Sequence, residues 1–129
     1  MSECGVCLGG DFGDGEPYEF SEMRWPKARK EHKCGECGRT IQSGEKYQSF
    51  RGKCDGDFYH EITCHQCAEI REVFSCEAWP MWGELWNDAR EVLFPVLTTA
   101  CFAKLRTPEA REFLRAKWIE WKFAKRPRN

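Results

Sequence analysis

Cys34-Gly35-Glu36-Cys37 and Cys64-His65-Gln66-Cys67 are two Cys-x-x-Cys pairs on either side of a segment rich in turn formers and aromatics. Four thiolates arranged this way suit one tetrahedral Zn²⁺. Each pair turns tightly enough to place two sulfurs at about 2.3 Å from one metal, with backbone N–H groups pointing at the sulfurs. A zinc closed by four protein ligands leaves no position for water, so its contribution is to folding rather than to catalysis. Cys34, Cys37, Cys64 and Cys67 are the expected ligands.

The remaining cysteines offer a candidate second site. Cys4-Gly5-Val6-Cys7 is a third pair, and Cys76 follows the helix expected to begin near Cys64. Helix rise carries Cys76 about 14 Å from Cys67, too far to share its zinc. Cys4, Cys7 and Cys76 could then hold a second ion, with Cys54, His60 or His65 as candidates for the fourth ligand. The competing reading makes Cys54, Cys76 and Cys101 plain thiols, and Cys101 is given no role. Nine cysteines without an apolar leader favour metal ligation in a reducing cytosol over a disulfide scaffold.

The elements that must position the first pairs are legible around them. Gly38 and Gly44 suit a zinc knuckle and the turn after it. Residues 46–50 and 57–62 carry strand-like aromatic content, and residues 52–56 between them are turn formers, which predicts a β-hairpin. Thr63 is the expected cap of a helix whose buried face holds Ala68, Ile70, Val73 and Phe74. Knuckle, hairpin and helix in that order make a treble clef, and the positive end of the helix favours the four sulfurs.

From residue 79 the pattern becomes helical. Trp79-Pro80 is the expected start of a run with Trp82, Leu85, Trp86, Ala89 and Leu93 at three- and four-residue steps, broken by Pro95. Residues 96–105 form a short apolar piece. Thr107-Pro108-Glu109 opens a further helix with the stripe Ala110, Phe113, Leu114, Trp118 and Trp121. The expected fold is α+β: a treble-clef module with an acidic leading segment over 1–78, and over 79–129 two or three helices packed on it as one compact unit.

The net charge of −1 hides an asymmetry. Residues 1–22 carry six acids and no base, whereas residues 104–129 carry nine Lys or Arg against Glu109, Glu112 and Glu120. A second basic segment, residues 24–33, leads into the first knuckle; its plain reading is a solvated, charged loop or strand. No apolar run approaches the roughly 20 residues needed to cross a bilayer, so no membrane partner is expected.

The run from Arg29 through Cys34-Gly35-Glu36-Cys37-Gly38-Arg39-Thr40-Ile41, then Gly44-Glu45-Lys46-Tyr47, resembles a family of small zinc-finger proteins encoded by bacteriophages and prophages. Asp55-Gly56-Asp57-Phe58, Thr63 to Cys67, Ile70-Arg71, Trp79, Gly83, Leu85, Trp86, Leu105 and Thr107 to Arg111 are similar too, so the resemblance covers most of the chain from residue 24. LIM-type fingers are more distantly similar. Cys54 departs from the family pattern, where a non-thiol residue usually stands. The resemblance implies a zinc-binding phage protein of the host bacterial cytoplasm, from a family mostly without an assigned activity.

Three functions compete. A non-enzymatic regulator or inhibitor that binds a host or phage protein is favoured first, because six tryptophans suit binding hot spots, although Trp82, Trp86, Trp118 and Trp121 at helical spacing also suit a core. Nucleic-acid binding is the alternative, through residues 24–33 and 104–128; Arg111, Arg115, Lys122, Lys125 and Arg126 are the candidate contacts. A metal-dependent nuclease is the least favoured. Asp55, Asp57 and His60 lie close in sequence, but Asp-Gly-Asp is more simply a turn and the first zinc is closed.

Overall fold

The fold was taken from a computed structural model, which describes residues 4, 5, 8, 19–75 and 82–124. Asp55 and Gly56, with φ of 52° and 84°, form the tight turn between β4 (Tyr47–Cys54) and β5 (Asp57–Cys64). Two positive φ values in a two-residue loop match the right-handed twist of the flanking strands, and Asp-Gly tolerates them. The hairpin is therefore longer than its aromatic cores suggest. β1 (Phe20–Arg24) adds to the other edge of β4, from Phe20 opposite Lys53 to Arg24 opposite Ser49, giving an antiparallel sheet in the order β1-β4-β5. β2 (His32–Lys33) and β3 (Thr40–Ile41) form a second, two-stranded ladder around Cys34 and Cys37.

Alternation along the strands divides the larger sheet into two faces. One face, carrying Gln48, Phe50 and Thr63, packs on α1 (His65–Phe74): Arg71 donates to Gln48 Oε1 at 2.9 Å, and Phe50 lies 4.7 Å from the Trp82 ring. The register puts Phe20, Glu22, Arg24, Ser49, Arg51, Lys53, Phe58 and His60 on the other face. Phe58 there is 74% exposed and Phe20 48%.

α1 begins one residue later than the sequence suggests. β5 runs through Cys64, which stands at the N-cap without a side-chain bond, and Thr63 instead accepts from Arg71. Ala68, Ile70 and Phe74 are buried as expected.

Beyond residue 82 the structure is helical but more broken than the spacing predicts. Trp82 sits in a turn, and α2 (Leu85–Asp88) passes into a π-helical turn at Ala89–Leu93 and a 3₁₀ turn at Phe94–Val96. Pro95 fits the opening of that last turn, where its missing N–H is not needed. Trp79 and Pro80, the expected helix start, lie outside the described residues. α3 (Thr99–Ala103) and α4 (Pro108–Ala124) follow. Thr107 Oγ accepts from the Ala110 N–H at 3.2 Å, the expected cap.

Leu85, Trp86, Ala89 and Leu93 join Ile70, Phe74, Ala110 and Leu114 in one buried cluster. Glu69 of α1 fastens α4 to it: its carboxylate accepts from the Thr107 hydroxyl at 2.9 Å, the Thr107 N–H at 3.1 Å and the Arg106 N–H. No helix of the described residues is long and apolar enough to cross a membrane.

Candidate metal centre and basic cleft

The two knuckle cysteines, the last residue of β5 and the first turn of α1 converge on one point. One ligand atom each from Cys34, Cys37, Cys64 and Cys67 lies within 4.8 Å of the others, and the Cys37 and Cys64 sulfurs are 3.9 Å apart. A zinc tetrahedron with arms of about 2.3 Å has edges of about 3.8 Å, so these residues fit a metal of that size.

The surroundings fit as well. Backbone N–H groups of Glu36 and Cys64 point at Cys34 Sγ, at 3.4 and 3.3 Å, and that of Arg39 at Cys37 Sγ, at 3.4 Å. The Trp86 indole N–H reaches Cys67 Sγ at 3.3 Å. Such donors offset negative charge on thiolates and fix their orientation.

Four sulfurs this close cannot all ionise without a cation. Hydrogen bonds from Cys37, Cys64 and Cys67 hold the Cys34 thiol far below its ordinary range. Cys37 settles at about 7, because contact with Cys34 raises it while Cys64 and Cys67 lower it. Contact with Cys34 and Cys37 drives both Cys64 and Cys67 far upward. A divalent metal relieves that repulsion and displaces the protons.

Glu36, inside the first Cys-x-x-Cys, links the metal centre to the helices. Its side chain is only 1% exposed, pairs with Arg71, and accepts from the backbone N–H groups of Gly83 at 2.9 Å and Leu85 at 3.0 Å. Arg71 in turn lies 4.5 Å from the Trp82 ring centroid. Neither role was visible in the sequence. Trp86 was visible as a core candidate and, with the other tryptophans, as a candidate binding residue, but not as a donor to a cysteine.

Of the second candidate metal set, Cys4 is placed among the described residues. Cys4 is disulfide-bonded to Cys101, with Cα atoms 5.0 Å apart, so Cys4 offers no thiolate and Cys101 has a role after all. The pairing joins residues 97 apart, and no local motif announces it. Lys104 Nζ also donates to the Cys4 carbonyl, at 2.5 Å, and the Leu8 N–H bonds Phe74 at 2.8 Å. Cys7 and Cys76 lie outside the described residues. Among the described residues, Cys54, His60 and His65 join no metal-competent group. His60 instead shares a hydrogen bond with Ser49 at 3.0 Å, and Asp55 is a turn residue.

A second feature lies where the open sheet face meets the loop before β2. A cleft of about 500 Å³ is lined by Arg24, Lys27, Arg29, Lys30 and Arg51, with His32, Tyr47, Ser49 and His60, against one acid, Glu22. Glu22 pairs with Arg24 at 2.7 Å. Among the described residues, Lys27, Arg29, Lys30 and Arg51 have no carboxylate partner within salt-bridge distance. The His32 and Tyr47 rings lie against each other in a tilted contact, centroids 4.9 Å apart. Burial, then the charges of Arg51 and His32, push the His60 imidazole below its ordinary range.

The C-terminal candidate contacts are placed differently. Arg111 donates to the Leu105 carbonyl at 2.7 Å, and Lys122 lies 4.9 Å from the Trp118 ring centroid. Arg115 lines a smaller cavity with Phe102 and Trp118. None of the three lines the basic cleft. Lys125 and Arg126 lie outside the described residues. The cleft brings the basic segment 24–33 together with Arg51 and His60 of the hairpin, a juxtaposition that sequence distance conceals.

No family model, curated protein or solved structure matches the chain. The resemblance to phage-encoded fingers therefore rests on the motifs alone.

Proposed function

We propose that this chain is a non-catalytic, phage-type zinc finger of treble-clef form that binds a nucleic acid through its basic cleft. The observation that carries the reading is the set of four cations in the cleft, Lys27, Arg29, Lys30 and Arg51, without carboxylate partners among the described residues. Surface cations are ordinarily solvated, but five lining one concave site with rings beside them concentrate a positive field that phosphates would complement. The zinc, closed by four thiolates, serves to hold the cleft-bearing sheet and not to activate water.

The order of preference formed from the sequence is thereby reversed. Trp86, offered as a binding residue, is buried and bonded to a cysteine ligand, which weakens the case for tryptophan hot spots on a protein partner. A protein partner keeps one specific support: Val92, Val96, Ile119 and Phe123 expose apolar surface on the helical part.

The test is a titration of labelled oligonucleotides at several salt concentrations. Nucleic-acid binding through three or four phosphates predicts a log–log salt slope of about −3. Arg51→Ala and Arg29→Ala should each flatten it. Capture of a protein unaffected by nuclease or salt, without oligonucleotide binding, would reject the proposal.

A further inference from the structure

Building on the nucleic-acid reading, we infer that the occupant is single-stranded: its phosphates sit in the basic cleft and its bases stack outward across the open face of the β1-β4-β5 sheet. Proteins read a duplex by inserting a helix or ribbon into a groove, whereas single strands are held in a charged groove beside aromatic platforms. This site is of the second kind. The charges line a cleft, and the surface that continues from it is the outer face of a sheet.

That face is organised along its length. The cleft end carries Arg24 opposite Ser49, and the next row places Arg51 between Glu22 and His60. At the far end the row is Phe20, Lys53, Phe58, with the two rings on the outer strands and the lysine between them. The four-residue step along β4 from Ser49 to Lys53 spans about 14 Å, long enough for a short run of nucleotides. Phe58 is 74% exposed on a regular strand, with the Lys53 ammonium 5.5 Å from its ring centroid, and a base has the flat apolar face to match the rest of the ring.

The charges set the direction. Lys53 is paired with Glu19 at 3.6 Å, and Asp55 and Asp57 stand at the hairpin turn, so the far end repels phosphate. Phosphate attraction is confined to the cleft, and Phe58 is left to act through its ring alone. A duplex laid over this face would bring phosphates against that acidic tip. A single strand can keep its backbone at the basic end and turn bases toward Phe58.

The experiment is fluorescence anisotropy with a single strand of roughly 12 nucleotides, within the range of known single-strand sites, and with the same sequence as a duplex. The zinc-loaded full chain is used throughout. Single strand should bind at least about tenfold tighter than duplex. Phe58→Ala, at an exposed position that leaves zinc content and circular dichroism unchanged, should weaken single-strand binding about tenfold without altering its salt slope. Arg51→Ala should weaken both substrates and flatten the slope. Equal or tighter duplex binding, or a Phe58→Ala variant as tight as the parent, would overturn the single-strand assignment while leaving the nucleic-acid reading standing. Absence of binding to either substrate would overturn both.

Discussion

The indole N–H of Trp86 lies 3.3 Å from Cys67 Sγ, so a residue of the helical part donates directly to a sulfur of the metal centre. Trp86 is 7% exposed and packs edge-on to Phe113 of α4, with ring centroids 5.7 Å apart. The helices therefore do more than cover the finger. They contribute to the sulfur environment that a bound metal would meet.

Trp86→Phe tests that contribution, since it keeps most of the ring volume and removes the donor. Outer-shell donors of this kind are worth roughly 10- to 100-fold in metal affinity. The expected result is zinc affinity about tenfold weaker by competition with a chromogenic chelator. An unchanged affinity would show that the N–H···S contact does not tune the metal.

Glu36→Gln should cost about 3 kcal/mol in urea unfolding, because it leaves the Arg71 guanidinium buried without its counter-charge. The exposed pair of Arg106 and Glu72, with side chains 60% and 58% accessible, provides the contrast. Glu72→Ala should cost under about 1 kcal/mol. Equal costs would show that burial does not separate the two pairs.

Acid should weaken the junction between α1 and α4. Burial pushes the Glu69 carboxyl upward, but hydrogen bonds from the Thr107 hydroxyl and from the N–H groups of Thr107 and Arg106 outweigh it and hold the group below its ordinary value. A depressed carboxyl stabilises the fold above its unfolded pKa of about 4.3 and loses that contribution as pH falls through the folded value. Protonation of the zinc thiolates acts in the same direction. Glu69→Gln should therefore flatten the fall in stability between about pH 5 and pH 3, which thermal melts across that range would detect.

The Cys4–Cys101 bond closes a loop of 97 residues, for which the chain-entropy argument allows up to about 4.7 kcal/mol. A non-chelating reductant should lower the melting temperature of the zinc-loaded chain. Cys101→Ala should melt lower and no longer respond to reductant. Zinc content should remain one per chain when the protein is reduced. A second equivalent on reduction would instead identify Cys4, with Cys7 and Cys76, as ligands.

The four-cysteine group was legible because its chemistry is local. Each Cys-x-x-Cys is a turn whose geometry its own residues specify, and the hairpin was legible from the turn formers over 52–56, although the turn itself is only Asp55-Gly56. The helix at Thr107 was equally local. What escaped the sequence depends on segments far apart in the chain meeting in space. Glu36 meets Arg71 and the start of α2, Cys4 meets Cys101, and Lys30 meets Arg51 across a cleft. Trp86 was read as core, and it is buried, but its bond to a cysteine escaped for a related reason. Helical spacing identifies a buried face, but not that one atom of that face reaches a metal ligand.

Zinc removal followed by hydrogen exchange bears on all of this at once. The chain should carry one zinc by native mass spectrometry. Stripping it with a strong chelator should abolish amide protection from β2 through α1, collapse the thermal transition, and remove oligonucleotide binding, all restored by added zinc. A metal-free chain with unchanged exchange protection and melting temperature would contradict a metal centre that holds the fold together.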